Sequence, residues 1–450
     1  MDQKLLPFAL QDVPRYTSYP TAVQFQDGFA GDLADRWLAE LLPSSSLSVY
    51  VHVPFCQQLC WYCGCHTSVP NSYARASAYV DSLIRDITRS GTLSGVRKGN
   101  VKHLHFGGGT PTYLSNADLG RILACINGSF GLAPGAEIAL ESDPRGITQD
   151  RAFGLAAMGF NRISFGVQDF ALPVQMKINR LQTYGLVDHV TALLREAGFT
   201  SINFDLMYGL PAQTVGSVRQ TAKQAAALRP NRISVFGYAH VPWFKKHQRM
   251  ISDAELPGVS ERYEQASAIA QELVHAGYIA IGLDHFALPE DLLATAASTG
   301  TLRRNFQGYT TDTADALIAF GASAISEFPQ GFAQAARDTL AWSKAISDGK
   351  SPVARGIATT AEDRMRAAII EQIMCNFSAD FGQIADQYGF NNTVLVDSLF
   401  RLQPLAEAGL ASINGSTVRV PQEHRLFLRS VACAFDGYYS GAKNRHAKAI

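Results

Sequence analysis

Charge is scarce in this sequence, and neither sign prevails. Asp, Glu, Lys and Arg make up 17% of the 450 residues, below the ~25% usual for soluble domains. The 39 acidic side chains balance the 39 basic ones. A formal net charge of zero removes any global electrostatic case for nucleic acid or an anionic membrane surface as partner. Long apolar runs are missing too: the most apolar stretch, residues 317–325, is far short of the ~20 residues of a membrane span. The opening MDQKLLPFALQDVPRY has an apolar core cut off by Gln11 and Asp12, too short for a secretory signal. These absences predict a cytosolic protein whose thiols stay reduced. There is no low-complexity segment. Hydrophobic residues reach 47%, and a chain of this length buries about three quarters of its unfolded surface. One large domain with a smaller one attached suits that length.

Cysteine is also sparse. Seven occur, at 56, 60, 63, 65, 125, 375 and 433, and four of them fall inside one ten-residue window. In a reducing compartment such a knot indicates metal or redox chemistry rather than a disulfide staple.

Between about residue 47 and residue 285 two patterns alternate. Runs rich in β-branched and aromatic residues predict strands at 47–53, 101–106, 137–141, 162–168, 201–207 and 232–238. Between them lie helical periodicities: Tyr79, Val80, Leu83, Ile84 and Ile87, then Leu186, Val190, Leu193 and Leu194, then Tyr263, Ala266, Ala270, Leu273 and Val274. Gly159, Gly198 and Gly277 each precede an aromatic residue and are expected to stop a helix in the left-handed C′ conformation. Six such units predict an α/β fold with a parallel sheet. The choice is a full or partial (βα) barrel or an open doubly wound sheet, with function at the carboxyl ends of the strands in either case. Residues 1–45, with Pro14, Pro20 and Pro43, read as an irregular N-terminal arm. Residues 46–354 form the (βα) unit. Residues 355–450 read as a small, mostly helical C-terminal domain of winged-helix character, with helices at 362–376 and 391–408 and a hairpin at 412–420.

The cysteine segment, YVHVPFCQQLCWYCGCH from Tyr50 to His66, leaves the end of the first strand. Cys56, Cys60 and Cys63 are spaced by four and three, which places three thiolates on one side of a turn. A 4Fe–4S cubane takes one protein ligand per iron, so three thiolates leave one iron open. The alternative is a structural zinc on all four thiolates. Zinc sites usually draw pairs of ligands from two loops, and four within ten residues would close poorly around a tetrahedron. Gly107, Gly108 and Gly109 follow the second strand and suit either a tight turn or close backbone approach to a ligand; they do not form GxGxxG. His52 and His66 flank the cysteines, as packed imidazoles or as proton-handling groups. Cys125, Cys375 and Cys433 lie in apolar helical contexts and read as buried structural thiols.

The CxxxCxxC spacing, with the aromatic Tyr62 before its third cysteine, resembles the radical S-adenosylmethionine (SAM) superfamily. Over nearly the whole chain the sequence resembles the oxygen-independent coproporphyrinogen III oxidases. The strings that carry this are PRYTSYPTA near residue 14, CWYCGC, GGGTPT, ESDPR, GVQDF, INRLQ, DLMYGLP, YAHVPW, DHFA, RNFQGYTT and GASAIS. Cys65 separates these enzymes from related haem-binding chaperones, the main alternative reading. A radical SAM enzyme acting on RNA and a zinc-held interaction protein are the others.

The resemblance implies a radical SAM (βα) barrel, a 4Fe–4S cluster on Cys56, Cys60 and Cys63, and two SAM molecules. Tyr50, Gly108, Glu141 and Ile325 would line the first. Tyr62, Gly109, Thr110, Gln168, Arg180, Asp205 and Ala239 would line the second. Arg180 suits a carboxylate clamp, and Asp205 suits an acceptor for ammonium or ribose hydroxyls. The implied reaction turns two propionates of coproporphyrinogen III into vinyl groups in haem biosynthesis, through radical removal of a β-hydrogen, loss of CO₂ and loss of an electron. Cys65 and Gln307 are the implied catalytic residues. Lys245, Lys246, His247, Arg303 and Arg304 are candidates for the substrate carboxylates, and the N-terminal arm for a cover that excludes water. An electron donor to the cluster is the implied partner, with no nucleic acid or membrane, and the enzyme is expected to be a monomer.

Overall fold

The segment LSVYVHV, residues Leu47–Val53, is buried at every position except the half-buried Tyr50. Burial on both faces is what a parallel strand covered by helices requires. The computed structural model describes residues 1–439 and 448–450. A two-residue strand, β1 (Gln26–Asp27), precedes this one, β2 (Leu47–Val53), and five more follow: β3 (Val101–Gly108), β4 (Leu132–Ser142), β5 (Arg162–Gln168), β6 (Ser201–Tyr208) and β7 (Arg232–Gly237). Neighbours from β2 to β7 pair in parallel and in sequence order. With right-handed crossovers, a strand order that never reverses puts all the intervening helices on one face. A doubly wound sheet needs a reversal, so the alternative left open by the sequence resolves to the barrel type.

The barrel is partial. Beyond β7 the chain adds the antiparallel β8 (Ile279–Ile281) and β9 (His285–Ala287), and the small ladder β10 (Arg303–Asn305) and β11 (Gly308–Thr310) stands apart. At the other edge β12 (Ala316–Phe320) pairs in parallel with β2. An antiparallel meander of β13 (Ile325–Phe328), β14 (Gly331–Ala335) and β15 (Val353–Ala358) continues that edge. The run at 317–325, conspicuous in the sequence only as apolar, thus supplies the seventh parallel strand. Its partner lies more than 250 residues earlier, beyond the reach of local pattern.

Local signals held elsewhere. Tyr79, Val80, Leu83 and Ile87 are buried along Tyr73–Leu93, and Val190, Leu193 and Leu194 along Tyr184–Ala197. Gly198 caps the latter helix at φ +103°, where a Cβ would be strained. Val274, expected on a buried face, is exposed.

The N-terminal arm is more ordered than its prolines suggest. Gly31–Ala39 is a helix that sets Ala34, Trp37 and Leu38 into the barrel core. Leu5, Val13, Tyr16 and Tyr19 instead join a second core with Met365, Ile369, Phe427 and Phe435. Tyr16 donates a hydrogen bond to Asp436 at 3.0 Å, and the Tyr19 hydroxyl accepts one from the Gly437 N–H at 2.8 Å. The chain after β15 contributes Ala361–Asn376, Phe381–Gln387 and Val396–Glu407 with a three-stranded sheet at Ser378–Asp380, Ser412–Asn414 and Thr417–Arg419. Among the described residues no helix is long and apolar enough to cross a membrane.

Candidate active site

The cysteine loop springs from the carboxyl end of β2 and is bonded along its length. Buried Phe55 roots it, and the Cys56 N–H donates to Ser68 O at 3.0 Å. Thr110, after β3, donates its N–H to Phe55 O at 2.8 Å, and Gly109 donates to Val53 O at 2.9 Å. Trp61 N–H donates to Ile178 O, and Asn179 Nδ2 to Leu59 O, both at 3.0 Å. A third grip comes from the segment after β7. Gln248 donates to Tyr62 O at 2.8 Å, His247 to Cys63 O at 2.7 Å and Lys245 to Cys65 O at 2.8 Å. Lys245 and His247, candidates for substrate carboxylates by sequence, are therefore turned onto the loop's carbonyls. Arg303 is paired with Glu371 at 2.7 Å.

Each of the three thiols faces a hydrogen-bond donor. Thr110 Oγ1 donates to Cys56 Sγ at 3.5 Å, Arg180 Nη1 to Cys60 Sγ at 3.5 Å, and the Cys65 N–H to Cys63 Sγ at 3.4 Å. Cys56 lies within electrostatic reach of both Cys60 and Cys63. The Cys65 thiol, bonded to Cys63, lowers the Cys63 pKa to about 7; burial opposes this, and Lys245 and Arg180 add to it. Burial pushes Cys56 above the ordinary thiol value, partly offset by Thr110 and Thr67. Three thiols on one loop, each met by a hydrogen-bond donor, are a donor set for iron. Among the described residues no three His, Cys, Asp or Glu side chains converge on a single ion. All seven cysteines are free thiols.

Beside the loop, the strand ends carry acidic and aromatic groups. Glu141, near the end of β4, accepts from the Gly108 N–H at 3.1 Å and lies 3.4 Å from His105 Nε2. Burial works to raise its pKa, but these bonds and the His105 charge outweigh it and hold the carboxyl below its ordinary value. The charge of Glu141 acts on Tyr50, Cys65 and Asp205, so all three lie within its electrostatic reach. Cys65 is solvent-accessible, is hydrogen-bonded to Cys63 and feels the charges of Glu141 and Cys56. Burial and the nearby Glu141 raise Asp205 to about 6, although Ser164 Oγ at 3.1 Å and Asn203 Nδ2 at 2.8 Å both donate to it.

The three glycines are required by the chain's packing on itself. A Cβ at Gly107 would lie 2.9 Å from Glu141, and one at Gly109 2.5 Å from Thr67 Oγ1. At Gly108 it would lie 2.6 Å from the His52 ring, on a backbone at φ +117°. Gly108→Ala is expected to cost about 2–4 kcal/mol from overpacking and backbone strain. A denaturant titration checks this; an unchanged midpoint would show that His52 swings aside freely.

His52 is not poised for proton transfer near neutrality. Burial lowers its pKa to about 4. Its Nε2 donates to His66 O at 3.0 Å, and its Nδ1 accepts from the Tyr50 hydroxyl at 3.1 Å.

The remaining expected residues divide by location. Arg180 is buried, donating to Asp143 at 3.1 Å, to Cys60 and to Gly166 O, while its Nε is buried without a partner. Gln168 ends β5 at φ +67° and is buried. Tyr62 packs with Ile178 and Tyr238. Ala239 follows β7 and accepts from Gln248 at 3.2 Å. Ile325 opens β13, across β12 from Tyr50's strand. Gln307 sits in the turn between β10 and β11 and, with Ala239, borders a cavity of about 700 Å³ at the ends of β6 and β7. Asp143, Thr67 and His105 were not singled out by sequence, although Asp143 lies within the string ESDPR. Arg262 and Arg429, which also line the cavity, carry no motif.

Comparison with known proteins agrees with this geometry. Residues 50–225 match the model of the radical SAM superfamily. The chain is 46% identical to an oxygen-independent coproporphyrinogen III oxidase of Bradyrhizobium diazoefficiens, over 97% of each protein. The chain belongs to the oxygen-independent coproporphyrinogen III oxidase family. It is 40% identical to the Escherichia coli protein of the same name, over 94% of this chain and 93% of that one. A solved structure of a coproporphyrinogen III oxidase from Escherichia coli, described as a radical SAM enzyme, superposes with a TM-score of 0.90 at 39% identity. It covers 96% of this chain and 100% of that one. Membership of this radical SAM family implies a 4Fe–4S cluster and SAM, and the three donor-supplied thiols fit the cluster.

Proposed function

We propose that this chain converts coproporphyrinogen III to protoporphyrinogen IX by oxidative decarboxylation of two propionates. The observation that carries the reading is the match to coproporphyrinogen III oxidases along 97% of the chain, joined to a loop at the end of β2 whose three thiols each meet a hydrogen-bond donor. The bound cluster and SAM supply a 5′-deoxyadenosyl radical. The protein's part is to hold, orient and shield. Cys56, Cys60 and Cys63 hold the cluster. Tyr50, Gly108, Glu141 and Ile325 serve one SAM, with the Glu141 carboxylate kept ionised to accept from ammonium or ribose. Tyr62, Gly109, Thr110, Gln168, Arg180, Asp205 and Ala239 serve a second. Cys65 and Gln307 face the substrate. The arm, anchored through Tyr16 and Tyr19, helps to exclude water. We take residues 1–45, 46–354 and 355–450 as the three units. The enzyme acts as a monomer in a reducing compartment, where iron-binding thiols survive, and draws electrons from a separate donor.

The deciding experiment is anaerobic incubation of reconstituted protein with coproporphyrinogen III, SAM and a reductant. Two CO₂, two methionines and protoporphyrinogen IX are expected per substrate. An unchanged porphyrinogen mass, with haem binding instead, would replace the enzyme reading with a haem chaperone.

Arg180→Ala and Asp205→Ala are expected to keep the iron but weaken SAM at the second site. Loss of one charge-assisted contact costs about 1.5–3 kcal/mol, a fall in affinity of about 10- to 150-fold. Arg180 is already engaged by Asp143, so its unpartnered Nε is the group left for a ligand. SAM stoichiometry by equilibrium dialysis checks both variants, and undiminished binding would remove them from the site.

A further inference from the structure

The cavity of about 700 Å³ at the ends of β6 and β7 lies within the range of small-molecule sites, about 300–1,000 Å³. Basic side chains outnumber acidic ones on its wall, and they come from separate parts of the chain. Arg15 belongs to the arm, Arg262 to the helix Val259–His275, Arg304 to β10 and Arg429 to the helix Leu428–Cys433. Lys448 adds a fifth. The acidic side chains on the wall are Asp12, Asp253 and Asp284, and Asp253 is held by His240 at 2.6 Å.

None of the four arginines forms an ion pair within 4.0 Å among the described residues; carbonyl oxygens and ring faces hold them instead. Arg262 donates to Tyr238 O at 2.9 Å and lies over the Tyr208 ring at 5.6 Å. Arg304 donates to Arg15 O at 3.3 Å and lies over the Tyr309 ring at 4.4 Å, with Nε and Nη1 buried and unpartnered. Arg429 is buried, donates to Val13 O, Lys448 O and Ala449 O, and leaves its Nε unpartnered. Asp284 lies within electrostatic reach of Arg304 and Arg15. Burial works to raise its pKa, yet bonded His285 and the charges of Arg304 and Arg15 hold it at about 2. Carbonyls satisfy N–H groups but do not neutralise charge, and buried guanidiniums that outnumber the carboxylates beside them are costly. Guanidinium groups held flat by aromatic faces suit planar, bidentate carboxylates.

We infer that Arg15, Arg262, Arg304 and Arg429 form a carboxylate-anchoring site that grips the propionates not undergoing reaction. This rests on the substrate class proposed above. The site gathers a residue from the arm, two from the barrel and one from the C-terminal helices, so a bound polycarboxylate also ties these three parts together. The cavity is also lined by Ala239, of the second group of expected SAM residues, and by Gln307, of the expected substrate contacts, so the anchor adjoins both.

The test uses full-length holoprotein, with coproporphyrin III and its tetramethyl ester as fluorescent probes. Wild-type protein is expected to bind the acid at least 10-fold more tightly than the ester. Arg15→Gln, whose side chain makes no hydrogen bond or ion pair among the described residues, is expected to keep the fold and to weaken acid binding several-fold. Arg262→Gln and Arg304→Gln are expected to weaken it 10-fold or more and to leave ester binding unchanged, with Arg304→Lys recovering part of the loss. Iron content and SAM binding report that the variants are folded. Equal acid binding by wild type and all variants overturns the anchor while leaving the decarboxylase reading intact. Wild-type protein that cleaves SAM yet neither binds coproporphyrin III nor converts the porphyrinogen overturns both.

Discussion

Alanine at any one of Cys56, Cys60 or Cys63 is expected to remove most of the roughly four irons that a reconstituted 4Fe–4S protein carries, and to abolish porphyrinogen conversion. The effect is large because the loop offers three thiolates, and two corners do not retain a cubane. Cys60 gives the cleanest case. It is buried beneath Arg180, and Arg180 keeps its bonds to Asp143 and Gly166 when the sulfur is lost. The loop also keeps its bonds to Ser68, Thr110, Ile178 and Gln248. Melting should therefore change far less than iron content. Iron analysis with the visible spectrum of anaerobically reconstituted protein checks this. Full iron in any single variant would contradict the three-thiolate centre, and stoichiometric zinc in active, iron-free wild type would contradict the cluster itself.

The second large effect is expected at Cys65. Its thiol is hydrogen-bonded to Cys63, lies within electrostatic reach of Glu141 and is solvent-accessible, so a ligand can reach it. Serine is nearly isosteric and retains both the hydrogen-bond donor toward Cys63 and the backbone N–H that bonds Cys63 Sγ at 3.4 Å. Cys65→Ser is thus expected to keep iron and SAM binding. Conversion should fall roughly 100-fold, the scale of removing a positioned proton-handling group from a reacting centre. Single-turnover assays with iron and SAM quantified in the same sample separate the outcomes. Normal turnover would make Cys65 a packing residue, and loss of iron would make it a ligand.

The site emerged from the sequence unevenly. The cysteine spacing, the glycine run and Glu141 at a strand end lie within short segments, and their elements are set by local periodicity. Arg180 was legible as a candidate, but its engagement with Asp143 and Cys60 was not, because those contacts span 37 and 120 residues. Lys245 and His247 looked like free cations and proved to be bonded to the cysteine loop, 180 and 184 residues away. His52 read as either a packed imidazole or a proton-handling group; its burial, which sequence does not report, lowers its pKa to about 4 and keeps it neutral.

Local pattern in the sequence accounts for the parallel strand–helix succession and for the helix stops at Gly159, Gly198 and Gly277. Each depends on neighbours within one or two turns of chain, where alternation, helical spacing and the left-handed freedom of glycine act directly. Tertiary structure alone decided that the sheet stays open, that residues 316–320 complete it beside β2, and that the arm divides between two cores. It also decided that Arg15, Arg262, Arg304 and Arg429 meet at one cavity. Strand partnership and the burial of a charge are fixed by what packs against a segment from far along the chain. No pattern within the segment encodes that neighbour.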